Sequence, residues 1–406
     1  MIEKISLNNN FKIQQFKKAE LKKDERLQIT SLSSFKNFSS LSFLGNKEVS
    51  RADILNLIQN AEPFSEAGLK GTVYKLENSN GSFAVKVARG EEFSFSKEAE
   101  VLKKVPKSLS KSQRFVDYFK DPKTNRDILV STFAKGKRGV LTTDKHFNSI
   151  FESLLLLDRE GIYHGDLNMG NCLFDNGEIN LIDFGEGSFF NLGDSFDEMY
   201  PSFMLKSNIC NLEQNGIPDC IKKWHEMGLN SKEIFKKYLA EKGKFYSKHS
   251  ALLGESTQKE AKLYEKNLAK VLLNPSDDAI ENELRRMDLL YTFEDADTAV
   301  NYRKIPEMGI RNWNLTIQKA DSMLHRINET LKKPLCEDER TYFEFQKQIA
   351  EKLLETYKDW GNSTITWIKG SMEKNYSELS PHEKEFRKNQ GKFMELPPDL
   401  LSMVIN

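Results

Sequence analysis

The segments His164-Gly165-Asp166-Leu167-Asn168-Met169-Gly170-Asn171 and Leu181-Ile182-Asp183-Phe184-Gly185 decide how the rest of this chain is interpreted. Each places oxygen-bearing side chains next to apolar runs. Between them, the turn Asp175-Asn176-Gly177 joins Cys172-Leu173-Phe174 to the run Ile179–Ile182, a pattern typical of a tight β-hairpin. The sequence therefore predicts two polar loops that a short hairpin brings together.

The spacing of the polar side chains in these loops suits phosphoryl transfer, which needs positioned groups and charge neutralisation more than covalent chemistry. In the pattern H-x-D-x-x-x-x-N, the Asp orients or deprotonates the attacking hydroxyl and the Asn holds a magnesium ion. The Asp of D-F-G holds metal against the phosphates. These positions are Asp166, Asn171 and Asp183. One Asp in a loop is usually a cap or turn residue, but this set combines residue type, order and spacing.

Upstream, Gly68 and Gly71 have the spacing of the last two glycines of a phosphate-binding loop, and Val73 follows them. Glycines suit such a loop because backbone amides can approach phosphates with no Cβ in the way. Glu66 stands where the first glycine of that pattern belongs. A Gly-x-x-Gly turn is common in any hairpin, so this match is weak by itself.

A lysine within an apolar strand strengthens the interpretation. Phe83-Ala84-Val85-Lys86-Val87 alternates like a strand, and a lysine among such neighbours needs a partner. In the following helix, Phe95–Val105, Glu98 shares the inward face with Val101 and Leu102, whereas Glu100 points elsewhere. We expect Lys86 to bind the α- and β-phosphates and to pair with Glu98.

The remaining elements around the nucleotide follow in order. Phe115–Phe119 and Ile128–Phe133 read as strands, and the connection 132–136, with Thr132 and Ala134, would face the adenine. Apolar walls above and below the adenine would come from Val73, Ala84 and Leu173. A helix over Phe147–Leu157 would run under the 164–171 loop.

Over about residues 60–190 the chain resembles the protein-kinase-like superfamily, with its motifs in the family's order. The form His-Gly-Asp-Leu-x-x-x-Asn also looks like aminoglycoside phosphotransferases and other small-molecule kinases, and like compact bacterial type III effector kinases. This resemblance implies an α+β, two-lobed fold that binds ATP and Mg²⁺. The expected parts are an antiparallel-sheet N-lobe, a reduced helical C-lobe and an all-α C-terminal extension.

Three departures separate the chain from ordinary protein kinases. Gly165 replaces the Arg that would clamp a phosphorylated activation loop, so we expect activity without such phosphorylation. Asn168 stands where serine/threonine kinases place a Lys that steadies the transferred phosphoryl group. No Ala-Pro-Glu follows Asp183. A reduced peptide-docking platform is expected, as in the compact effector kinases.

Composition divides the chain into three predicted parts. Residues 1–50 form a Ser- and Asn-rich part that is a poorly ordered arm, an added edge strand, or the export segment of a bacterial effector. Residues 51–230 form the kinase-like domain, and residues 231–406 form a helical extension of it or a separate recruiting domain. Helices are expected at Ser231–Lys242, Gln258–Leu273, Asp277–Leu290, Trp313–Leu331, Glu337–Lys358 and Ser380–Asn389.

Bulk properties limit the partners. Lys and Arg total 60, as do Asp and Glu, so no global charge favours nucleic acid. The four cysteines lack metal-ligand spacing and fit a reducing compartment. No apolar run is long enough to span a bilayer. The resemblance to effector kinases implies secretion by a bacterium into the host cytoplasm, a host protein substrate, and a host activator, such as a ubiquitin-type protein, on the C-terminal helices.

These observations favour an ATP- and magnesium-dependent Ser/Thr protein kinase of bacterial effector type. The alternative is a small-molecule phosphotransferase, for which Glu186, Asp194, Asp197 and Glu198 would supply an acidic substrate pocket. The superfamily also includes enzymes that transfer AMP or glutamate with the same nucleotide site. A non-catalytic pseudokinase fits less well, because every metal- and phosphate-binding group is retained.

Overall fold

The computed structural model describes residues 49–65, 70–109, 111–189, 208–253, 259–298, 306–374, 376–381, 384 and 400–405. The predicted arm, apart from its last two residues, and the glycine at 68 lie outside these ranges. The chain divides into two compact units, Met1–Val49 and Ser50–Asn406, and the described helices and strands all belong to the second.

A four-stranded antiparallel sheet has the order β1-β2-β4-β3. Its elements are, in chain order, α1 (Arg51–Asn60), β1 (Gly71–Asn78), β2 (Gly81–Ala88), α2 (Ser96–Lys104), β3 (Phe115–Lys120) and β4 (Asp127–Thr132). Along β2, Phe83, Val85 and Val87 are buried on one face, and Ala84 and Lys86 lie on the other. The alternation predicted from the sequence is therefore present and places Lys86 opposite the sheet's packed face.

Short strands and helix α3 follow the sheet. They are β5 (Lys137–Arg138), α3 (Asp144–Arg159), β6 (Ile162–Tyr163), β7 (Cys172–Asp175), β8 (Glu178–Leu181) and β9 (Ser188–Phe189). The β7–β8 hairpin turns at Asn176 and Gly177, which both have positive φ, at 53° and 83°. A two-residue type I′ turn requires this conformation at both positions, which is why the sequence signal was reliable.

Helices make up the rest of the described chain. They are α4 (Asn208–Asn211), a π-helical turn (Leu212–Gly216), α5 (Ile217–Glu226), α6 (Ser231–Leu253), α7 (Lys259–Leu273), α8 (Asp277–Thr298), α9 (Pro306–Leu331), α10 (Glu337–Glu373) and α11 (Leu400–Ile405). The helix predicted at 380–389 lies almost wholly outside the described residues.

Several helices are longer than predicted, and α10 gives the physical reason. The prediction ended this helix at Lys358, whereas it continues to Glu373. At Gly361, an added Cβ would lie 2.9 Å from Ile317 Cδ1 and 3.1 Å from Trp313 Cε3 on α9. Close packing between α9 and α10 therefore outweighs the low helix propensity of glycine.

Sheets and helices share one connected hydrophobic core. Its buried members run from Ala88 at the end of β2 to Val404 on α11. Trp224 on α5 is fully buried, and its indole N–H donates to the carbonyl of Leu141 (2.6 Å). The unit is thus α+β and mostly helical, with its antiparallel strands in the first part. None of the helices in the described ranges has an apolar stretch that could cross a bilayer.

Candidate active site

An ion-pair cluster centred on Lys86 lies between β2, α2 and the 183–186 turn. Lys86 Nζ donates to Glu98 Oε2 (2.8 Å) and to Asp183 Oδ1 (3.0 Å). The exposed fraction of the Glu98 side chain is 3% and that of Asp183 is 50%. Glu100 is exposed and pairs with Lys103 instead. Helix periodicity therefore distinguishes the two carboxylates, because only Glu98 lies on the buried face of α2.

One ammonium serves two carboxylates in this cluster. Burial acts to lower the pKa of Lys86, but the charges of Glu98 and Asp183 outweigh burial and raise that pKa. Burial raises the pKa of Glu98, with Lys86 opposing it. Glu98 Oε1 is buried without a hydrogen-bond partner among the described residues. The cluster holds more acceptor capacity than Lys86 can satisfy, so it can accommodate a further cation or donor.

Asp183 is held in a left-handed backbone conformation, with φ 59° and ψ 71°. A non-glycine residue rarely adopts this conformation without compensating contacts. Its N–H donates to Gln113 Oε1 (2.8 Å), and Gln113 Nε2 donates to Ser131 Oγ on β4 (2.9 Å). Gln113 thereby ties the turn to the four-stranded sheet.

The carboxylate of Asp166 is fixed by two amides from its own loop. Asn168 Nδ2 donates to Asp166 Oδ1 (2.7 Å), and Asn171 Nδ2 donates to Asp166 Oδ2 (2.9 Å). Asn168 Oδ1 accepts from the N–H of Gly170 (2.8 Å), so its amide is oriented at both ends. Asn171 Oδ1 makes no hydrogen bond with another described residue. Both Asp166 oxygens are therefore directed by neighbours, and one Asn171 oxygen remains available.

His164 connects this loop to the Asp183 turn. The ring is fully buried, with Nε2 3.1 Å from the Ile182 carbonyl and Nδ1 3.4 Å from the N–H of Asp166. Burial lowers its pKa to about 4. The ring is consequently neutral at physiological pH, with Nε2 as donor and Nδ1 as acceptor. It also packs on Phe184, with ring centroids 4.5 Å apart.

Two asparagines on α4 hold the backbone of the 164–167 segment. Asn208 Oδ1 accepts from the N–H of His164 (2.8 Å), and Asn211 Oδ1 accepts from the N–H of Leu167 (2.8 Å). Asn208 Nδ2 also donates to Asp158 Oδ1 (2.6 Å). Burial raises the pKa of Asp158 to about 7. Buried backbone donors are thus satisfied by amides instead of by charged groups.

Gly165 is required by geometry where the two loops touch. Its φ is +84°, and a Cβ there would lie 2.4 Å from the Glu186 carbonyl oxygen. Any L-residue would be strained and would clash with the backbone. The sequence suggested that Gly165 marks a missing arginine, and the structure adds that no side chain fits at this position.

The residues predicted around the adenine lie on β1, β2, β4 and β7, and Ala134 lies just after β4. Ala84 lies on the Lys86 face of β2, Val73 pairs in register with Lys86, and Leu173 is partly buried on β7. The Thr132 N–H already donates to Arg114 O (2.9 Å). Buried Ala134 has no backbone hydrogen bond with another described residue, so it is the better candidate to contact a base.

Gly71, the glycine of the predicted motif that the structure describes, lies in close contact with its neighbours. A Cβ on Gly71 would lie 2.7 Å from Phe95 Cζ and 2.8 Å from the Val87 carbonyl. Its neighbour Lys70 donates to Glu186 Oε1 (2.6 Å), and both side chains are exposed. An ion pair therefore joins the start of β1 to the turn that follows Asp183.

Sequence reasoning missed the residues that hold the site in shape. These are Gln113, Asp158, Asn208 and Asn211, each distant in sequence from the residue it supports. Two predicted metal ligands, Asn171 and Asp183, keep a side-chain oxygen with no hydrogen bond to a described residue. No group of three or more His, Cys, Asp or Glu side chains arranged to hold a metal occurs within the described ranges. These two oxygens are the groups that could hold a Mg²⁺ ion, and its remaining ligands would have to come from a bound phosphate and water.

Neither a scan against protein-family models nor a search of curated proteins finds a match to this chain. The assignment of a function rests on the site's geometry and on the sequence motifs.

Proposed function

We propose that this protein is an ATP- and magnesium-dependent phosphotransferase with a protein-kinase-like, two-lobed architecture, and that it acts on hydroxyl groups of proteins. One observation carries the proposal. Lys86, paired with Glu98 and Asp183, lies in the same unit as a carboxylate, Asp166, that two amides orient. Phosphoryl transfer needs both of these groups.

Each residue has a role that follows from its contacts. Asp166 accepts the proton of the attacking hydroxyl, because its carboxylate is directed by Asn168 and Asn171. Lys86 binds the phosphates by exchanging one carboxylate partner for a phosphate oxygen. Asn171 Oδ1 and Asp183 would hold Mg²⁺, which would neutralise charge on the phosphates. Asn168 orients Asp166 and does not replace the missing lysine.

Labelled phosphate transfer from ATP to a generic protein substrate tests the proposal. Transfer should occur with the wild type and be lost in Lys86→Ala and Asp183→Ala. Lys75→Ala is the matched control, because Lys75 pairs with Glu77 on the exposed end of β1. Absence of both transfer and a Mg-ATP-induced thermal shift would overturn the proposal in favour of a non-catalytic scaffold.

A second candidate is phosphorylation of a small hydroxylated amine. Asp219 accepts a hydrogen bond from the N–H of Met169 in the 164–171 loop (3.3 Å). Desolvation and the nearby Asp166 carboxylate raise the pKa of Asp219. Two neighbouring carboxylates favour a cationic acceptor. ATP turnover with hydroxylated amines but with no protein would select this candidate.

The predicted effector character, host location and host activator remain predictions from the resemblance alone. The Ser- and Asn-rich arm that would carry the predicted export signal lies outside the described residues, apart from residues 49 and 50. Transfer of AMP instead of phosphate would be recognised from the mass added to the acceptor.

A further inference from the structure

Four charged side chains are buried together between the segment after α4 and the C-terminal helices. Glu213 lies on the π-helical turn, Lys242 on α6, and Glu283 and Arg286 on α8. At most 2% of each side chain is exposed. We call these four residues the buried charge cluster.

Every charge in this cluster is paired. Lys242 Nζ donates to Glu213 Oε1 (2.6 Å), and Arg286 Nη2 donates to Glu213 Oε2 (2.7 Å) and Glu283 Oε2 (2.9 Å). Burial opposes ionisation, but the two cations outweigh it, lowering the pKa of Glu213 and bringing that of Glu283 to about 2. Both carboxylates are therefore ionised at neutral pH, and they face one lysine and one arginine.

Two tyrosines extend the cluster to neighbouring elements. Tyr238 Oη donates to Glu213 Oε1 (2.8 Å), and Tyr342 Oη on α10 donates to Glu283 Oε1 (2.8 Å). Asn282 Nδ2 donates to the Tyr342 hydroxyl (2.9 Å). A buried ionic cluster is poor evidence for stability, since apolar residues of similar volume often serve as well. Its directional bonds instead fix how the elements align.

The 208–216 segment, which comprises α4 and the π-helical turn that carries Glu213, also touches the 164–171 loop. Asn208 and Asn211 accept from the N–H groups of His164 and Leu167. At Gly216 a Cβ would lie 2.5 Å from the Leu167 carbonyl oxygen. The 208–216 segment therefore contacts the 164–171 loop at Asn208, Asn211 and Gly216, while Glu213 binds side chains of α6 and α8. π-helical turns are rare, and they occur often at functional sites.

We propose that Glu213 is a positioning residue for Asp166, and that the buried charge cluster makes α6 and α8 part of the phosphotransfer unit. The cluster fixes the 208–216 segment, whose asparagines then fix the backbone on either side of Asp166. The catalytic consequence of this inference rests on the proposed function, whereas the structural link from Glu213 to the backbone on either side of Asp166 does not. It assigns a role to C-terminal helices for which the sequence suggested only extension or recruitment.

A matched pair of tyrosine variants tests the inference. Tyr238→Phe removes the hydroxyl bound to Glu213 and keeps the ring that packs on Phe147, Phe151 and Phe235. Tyr342→Phe removes a hydroxyl from Glu283, at the end of the cluster away from the loop, and loses a second hydrogen bond with Asn282. The control therefore loses at least as many hydrogen bonds as the test variant.

Hydrogen–deuterium exchange of the 164–169 amides, without nucleotide, is the first readout. Tyr238→Phe should speed their exchange about ten-fold, the effect of losing one hydrogen bond to a charged group. Tyr342→Phe should leave these amides unchanged. Glu213→Gln should give a larger change than Tyr238→Phe, and the tyrosine pair carries the test if that variant does not fold.

The second readout is catalysis, where kcat should fall in Tyr238→Phe while KM for ATP stays constant. Equal exchange at residues 164–169 in wild type and Tyr238→Phe, or equal acceleration in both tyrosine variants, would overturn the inference. A wild type without phosphotransfer would refute the proposed function alone, because the exchange result does not depend on ATP.

Discussion

Lys86 and its partners are held by charge, whereas the backbone around Asp166 is held by neutral groups. On the Lys86 side, the ammonium lies 2.8 Å from Glu98 Oε2 and 3.0 Å from Asp183 Oδ1, and Asp183 is half exposed. On the Asp166 side, the N–H groups of His164, Asp166 and Leu167 are held by asparagine amides and a neutral imidazole, and the amide of Asn171 binds the Asp166 carboxylate.

The two kinds of contact differ in how easily one partner can be replaced by another. Charged partners near solvent can exchange one another for a phosphate oxygen or a metal ion at modest cost. Buried amides have no competing ligand, and leaving a buried N–H unsatisfied is costly. Under the proposed function, the charged side can therefore exchange a partner for the substrate, while the neutral side keeps its geometry.

Lys86→Met gives the largest expected effect and tests the charged side. Phosphotransfer should fall about 10²–10³-fold, as when one preorganised electrostatic group is lost. Stability should fall by up to about 3 kcal/mol, since Glu98 is left buried without its cation. The double variant Lys86→Met/Glu98→Gln should recover most of the stability and none of the activity. Recovery of activity in the double variant would contradict a phosphate-binding role for Lys86.

Gly165→Ala tests the contact between the two sides, where Gly165 lies against the Glu186 backbone. Gly228 is the matched control, since its φ is +68° and a Cβ there would meet nothing within 4 Å. Gly228→Ala should cost about 1–2 kcal/mol, the conformational cost alone. Gly165→Ala should cost more in a urea unfolding experiment, because its Cβ also meets the Glu186 backbone. Equal costs would mean that the 165–186 contact imposes no steric requirement.

Asp158→Asn tests whether the Asp166 side is uncharged. The pKa of Asp158 is raised to about 7 in the folded protein, so the folded state binds more protons than the unfolded state between the two pKa values. Stability from this group is greatest at low pH and falls as pH rises towards about 7. Asp158→Asn should differ least from wild type near pH 3.8, the ordinary pKa of Asp, and its Tm advantage should grow as the pH rises to about 8. A wild-type advantage at about pH 8 would show that Asp158 is ionised in a stabilising contact.

The smallest expected effect concerns Lys70 and Glu186. Both are exposed, so a double-mutant cycle with alanine at each position should give a coupling of at most about 1 kcal/mol. The coupling should shrink further in high salt, because exposed charges are screened. A strong, salt-insensitive coupling would show that this part of the charged side is fixed and not exchangeable.

The sequence predicted the charged side better than the neutral one, for a physical reason. Strand alternation assigns Lys86 to one face of β2, and helix periodicity assigns Glu98, not Glu100, to the buried face of α2. Both are local rules. Asn208 and Asn211 each lie 44 positions from their partners, and nothing local distinguishes them from surface asparagines.

Backbone conformation was the second limit of prediction. The positive φ of Asp183 depends on Gln113, and the need for glycine at 165 depends on the position of the Glu186 backbone. The continuation of α10 past Lys358 likewise depends on its packing against α9. The order of the longer strands and helices was predictable, whereas α4, α5 and the short strands β5, β6 and β9 were not predicted and depend on tertiary contacts.

Phosphate transfer by wild type and Asp166→Asn, measured as intact mass of a protein acceptor after incubation with Mg-ATP, tests the central claim most directly. Wild type should add whole phosphoryl groups to the acceptor. Asp166→Asn should add none, yet show the same Mg-ATP-induced thermal shift as wild type, because Lys86, Asn171 and Asp183 remain. Transfer by Asp166→Asn at the wild-type rate, or adenylyl groups on the acceptor, would contradict the account.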